Sequence, residues 1–68
     1  MIFQDLSKGD VVKCVKGKMT GIRMTIVDVD HKNHRIKLTY GWTDFGRSVV
    51  MYSEDDFNDK FVLVAWHN

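Results

Sequence analysis

The chain has no proline, only one cysteine, and no apolar run near the roughly 18 residues that a membrane-spanning helix requires. With Cys14 alone, neither an internal disulfide nor a multi-thiolate zinc site can form. The opening MIFQDLSKGD shows no signal-peptide pattern, so the expectation is a cytoplasmic protein that does not engage a membrane. There is no Gly/Ser linker, repeat or low-complexity stretch, and 68 residues make one domain, 1–68. A chain of this size buries only about 60% of the surface its unfolded form exposes. It therefore needs an efficient core, self-association, or both.

Charge is nearly balanced, at +1 overall, but it is unevenly placed. Residues 1–23 carry Lys8, Lys13, Lys16, Lys18 and Arg23 against Asp5 and Asp10. Residues 48–68 carry Lys60 against Glu54, Asp55, Asp56 and Asp59. A basic front and an acidic back can steer a polyanion to one side, although a near-neutral total limits non-specific affinity for nucleic acid.

Five glycines punctuate short segments rich in Val, Ile, Thr, Tyr and Phe, which is strand chemistry. The first strand is expected over residues 10–16 (DVVKCVK) and the second over 23–30 (RMTIVDVD). In the second, Met24 and Ile26 share a parity that Val27 and Val29 break, which predicts a bulge or sharp bend. In the third, Ile36, Leu38, Tyr40 and Trp42 alternate with Arg35, Lys37, Thr39 and Thr43, the pattern of a half-buried antiparallel strand. A fourth strand is expected over 47–52. Ser53 then opens SEDDF as an N-cap followed by acids, which predicts one helical turn pinned by Phe57. The closing strand, Phe61 to Trp66 (FVLVAW), is apolar on both faces. Either the N-terminal segment 1–8 packs over it, or it forms an oligomer interface. The predicted fold class is all-β: a single five-stranded SH3-like small barrel with one short helical turn before the last strand.

Gly9-Asp10-Val11-Val12, Met24-Thr25-Ile26-Val27, the aromatics Tyr40 and Trp42, Phe57 and the closing Val62-Leu63-Val64 resemble the YodC-like small bacterial proteins. The opening also resembles the G-D-x-V start of KOW and related SH3-like modules. The likeness spans most of residues 8–64. It implies an SH3-like fold and brings no catalytic residues. The loop after the first strand lacks that family's paired glycines, and residues 42–48 are arranged differently.

Chemistry for catalysis is thin. Cys14 falls on an inward strand position, where a thiol is inert, and the histidines at 31, 34 and 67 lie far from it in sequence. Asp28, Asp30, His31 and His34 are metal-ligating types, yet the same residues serve hairpin turns through local hydrogen bonds. Neither Gly17 nor Gly21 belongs to a phosphate-binding motif. The expectation is a non-enzymatic protein with no cofactor and no metal.

Binding is the stronger reading. Tyr40, Trp42, Asp44, Phe45 and Arg47 crowd the turn between the third and fourth strands, the composition of a protein hot spot with a polar rim. Phe45, between Asp44 and Gly46, is the natural exposed anchor. The expected function is a small adaptor, an accessory or phage-type regulator docking on a larger protein. One alternative is a nucleic-acid-binding module using Lys13, Lys16, Lys18, Arg23 and Lys37 beside the aromatic turn. Another is a small oligomer, joined through residues 61–66, that holds a ligand between subunits.

Overall fold

The computed structural model describes residues 3–43 and 46–66, with the backbone alone at 42, 43, 46 and 47. Its strands are β1 (Val11–Cys14), β2 (Arg23–Asp30), β3 (Arg35–Thr43), β4 (Gly46–Ser53) and β5 (Phe61–Ala65). A helix, α1 (Glu54–Lys60), precedes β5, and a 3₁₀ turn, Phe3–Asp5, precedes β1. The strands form one antiparallel sheet in the order β4-β3-β2-β1-β5. The mostly β fold with a short helix before the last strand matches the expectation. The hydrogen-bonded sheet itself is open, with β4 and β5 as its edges. Side chains bring those edges together instead: the Tyr52 and Phe61 rings meet edge-on at 5.1 Å.

β2 organises the sheet. Thr25 is the one residue of β2 registered on both sides, opposite Val11 of β1 and Thr39 of β3. Before it, Met24 and Arg23 pair only with β1; after it, the ladder to β3 continues to Asp30↔Arg35. The register to β3 slips between Ile26 and Asp28, which puts a bulge at the parity switch in MTIVDV. The bulge lets β2 bend while Met24 and Ile26 stay in the core.

The core collects Val12 and Cys14 from β1, Met24 and Ile26 from β2, Ile36 and Leu38 from β3, and Phe57 and Phe61 from α1 and β5. Phe3 and Leu6 join it from the N-terminal segment. The Phe3 ring lies edge-on to Phe57 at 6.4 Å and to His31 at 5.8 Å, so it closes the end of the core beside the β2–β3 hairpin. Gly9-Asp10 begins β1 for a local reason. Gly9 takes φ +98°, the Asp10 carboxylate accepts from the Ser7 N–H at 2.9 Å, and the Asp10 N–H donates to the Ser7 carbonyl at 3.1 Å. A buried carboxylate that closes its own turn explains an aspartate at the head of an apolar strand.

α1 is longer than the single turn expected, at seven residues. The Ser53 hydroxyl accepts from the Asp56 N–H at 3.3 Å, and Glu54, Asp55 and Asp56 sit in the first turn against the helix dipole. Its far end is held by tertiary contacts. Lys16 Nζ donates to Asp59 Oδ1 at 3.0 Å, and the Lys60 ammonium lies 5.9 Å from the Tyr52 ring centroid. Burial pushes the Tyr52 hydroxyl pKa above its ordinary value.

Candidate functional site

The residues singled out for catalysis are dispersed. Cys14 is buried, and its thiol donates to the Lys16 carbonyl at 3.1 Å. His34 Nδ1 lies 3.0 Å from Glu54 Oε1, which ties the β2–β3 turn to the start of α1, while His31 packs on Phe3. His34 adopts φ +54°, and its carbonyl accepts from the Glu54 N–H at 2.8 Å. Asp30 accepts from both the side chain (2.8 Å) and the backbone N–H (3.0 Å) of Asn33. Those bonds, the side-chain one foremost, hold its carboxyl below the usual carboxylate pKa. Among the described residues, no group of three or more His, Cys, Asp or Glu side chains is placed to hold a metal ion. Within the same residues, no helix is long and apolar enough to cross a membrane.

The aromatic turn is described only in part. Phe45 and Asp44 lie outside the described residues, as do the side chains of Trp42 and Arg47. Tyr40 is half-buried and packs against the core, continuing the inward row of Ile36 and Leu38.

Two apolar surfaces stand out. On β4, Val49 and Met51 point outward and are exposed, but Met51 sits beside Lys37, which is itself opposite Asp28. The second surface is on β1 and β5, where Lys13 stands opposite Val62. Phe61 and Leu63 turn inward, while Val62 is 45% exposed and Val64 is 41% exposed. Val15, whose N–H donates to the Lys60 carbonyl at 2.7 Å, is 46% exposed beside them. The register between β1 and β5 slips so that Val11 faces Ala65 and Val12 faces Leu63, leaving Val64 as the extra residue. A bulge there turns Val64 and Ala65 together toward solvent. Trp66, just past the strand, is 55% exposed. Phe3 packs on Phe57 and His31, and among the described residues Val15, Val62, Val64 and Trp66 remain exposed.

The five cations expected to face nucleic acid divide. Lys16 is engaged by Asp59, and Lys37 stands opposite Asp28 on the far half of the sheet. Lys18 lies exposed in the loop that Gly17 and Gly21 bracket, both at positive φ. Lys13 and Arg23, by contrast, are directly opposite each other across β1 and β2. Sequence reasoning missed that pairing and the part played by Val15, because both depend on strand register. Compared with known proteins, the chain matches no family model, no curated protein and no solved structure.

Proposed function

We propose that this chain is a non-enzymatic adaptor of SH3-like barrel architecture that docks on a larger protein through the outer face of β1 and β5. The strand order supports the architecture: first and last strands adjacent, and a bent second strand shared between two half-sheets. The likeness of Gly9-Asp10-Val11-Val12 to the openings of YodC-like and KOW-like modules points the same way. Fold alone names no activity, so the functional reading rests on the surface.

The observation that carries it is the exposure of Val15, Val62, Val64 and Trp66 on and beside an edge strand that itself carries no charge, with Lys13 of β1 opposite Val62. Edge strands left open normally carry lysine, proline or another guard against pairing. These side chains are 41–55% exposed, so a partner that covered them would recover about half of the roughly 1.5–3 kcal/mol that full burial of each is worth.

The double variant Val62→Lys/Val64→Lys tests this reading. Both positions already face water, so its thermal midpoint should stay close to that of the parent. Captures from nuclease-treated lysate of the source cells, compared between parent and variant, should show a protein retained by the parent and lost by the variant. Equal retention by both chains would reject this face as the docking surface.

A further inference from the structure

The ladder between β2 and β3 stops at Thr25↔Thr39, and beyond that pair the two strands separate. The fork encloses a cleft of about 340 Å³ lined by Arg23, Met24 and Thr25 on one side and Thr39 and Tyr40 on the other. Ile26 donates to the Asp10 carbonyl at 2.9 Å and accepts from the Gly9 N–H at 2.8 Å, and Ile22 accepts from Cys14 at 2.9 Å. Main-chain groups alternate sides along a strand, so those of Arg23 point away from β1 and into the fork. At the rim, Arg23 sits directly opposite Lys13, a like-charge pairing that disfavours the sheet unless an anion lies between them. Among the described residues, neither cation makes an ion pair, and no acidic residue lines the cleft.

We infer that this fork binds single-stranded nucleic acid, one base entering against Tyr40 while flanking phosphates pair with Arg23 and Lys13. The inference goes beyond the docking surface on β1 and β5: Lys13, opposite Val62 on one side and Arg23 on the other, borders both, while the cleft is lined by other residues. Each part of the cleft matches one part of a nucleotide. Tyr40 offers an aromatic surface, and the Arg23 main chain offers a donor and an acceptor for a base edge. The Thr39 hydroxyl already donates to the Ser48 carbonyl at 3.1 Å, which leaves its lone pairs to accept. A balanced net charge is compatible with such a site because only the local pair of cations meets the backbone.

Fluorescence anisotropy with a labelled single strand of about ten nucleotides, titrated across salt from about 20 mM, tests it. Two phosphate contacts give an expected slope of log K against log salt of about −1.4, and Arg23→Ala or Lys13→Ala should each reduce its magnitude by about 0.7. Lys32→Ala, on the distant hairpin, should leave the slope unchanged. Tyr40→Leu should weaken binding by about tenfold with no change in slope. Tyr40 is half-buried, so its variant is judged only if it melts like the parent, while the Arg23 and Lys13 slopes decide the matter regardless. No binding with about 100 μM protein at low salt would overturn the inference. So would equal slope changes from Lys32→Ala and Arg23→Ala, or a folded Tyr40→Leu variant that binds like the parent. That last result would mean a general basic surface.

Discussion

Phe57→Ala is expected to unfold the chain at room temperature. Phe57 is fully buried, stacked on Phe61 at 5.1 Å with an interplanar angle of 14°, and meets the Phe3 ring edge-on. Truncating a buried phenylalanine costs about 3–5 kcal/mol. A domain of 68 residues holds about 3–10 kcal/mol in total, so the loss approaches the whole. The damage extends beyond the cavity. Isolated helices of seven residues are not stable, and Phe57 is the buried residue of α1. Without it the helix loses its hold on the core, and the N-terminal segment loses the ring against which Phe3 packs. Urea denaturation followed by circular dichroism is the check. Phe57→Leu should retain a cooperative transition, and a Phe57→Ala midpoint equal to the parent's would show that α1 is not anchored as described.

Leu38→Ala is the second large effect, expected to cost about 2–5 kcal/mol. Leu38 lies at the centre of the sheet, opposite Ile26 of β2 on one side and Val50 of β4 on the other, with no solvent exposure. All three strands around it are fixed by ladders, so the cavity has little room to collapse. Its neighbour Lys37 faces the other way, and Lys37→Ala should move the melting temperature little. Similar melting temperatures for the two variants would reverse the faces assigned to β3.

Local pattern carried the fold a long way. Alternation from Arg35 to Thr43 identified β3 and its buried face, and the parity break at Val27 marked the bulge in β2. Ser53 and the acids after it marked the start of α1, because capping is a matter of adjacent residues. The helix's length was not legible. Asp59 and Lys60 extend it through Lys16 and Tyr52, which are distant in sequence. β1 is also shorter than DVVKCVK suggests, because Val15 and Lys16 leave the ladder to begin the Gly17–Gly21 loop. The open sheet likewise reflects a tertiary choice, since α1 and the Tyr52–Phe61 contact occupy the side where β4 and β5 approach.

The candidate surfaces follow the same division. An unbroken apolar FVLVAW announced that one face of β5 would need a cover, but which side chains would be exposed depended on the slip at Val64. Ten basic residues gave no sign that two of them, separated by a loop, would stand side by side, one of them lining a cleft with Tyr40. Binding sites of this kind belong to register rather than composition, and register is set by bulges and turns acting together.

The docking claim is tested most directly by labelling the valine and isoleucine methyl groups. Their NMR signals would be followed as the protein that distinguishes parent from Val62→Lys/Val64→Lys is added. The expected result is a change confined to Val15, Val62 and Val64, with the buried Val12 and Ile36 signals and the β4 Val49 signal unmoved. A change centred on Val49 and Val50, with Val62 and Val64 unaffected, would contradict docking through β1 and β5.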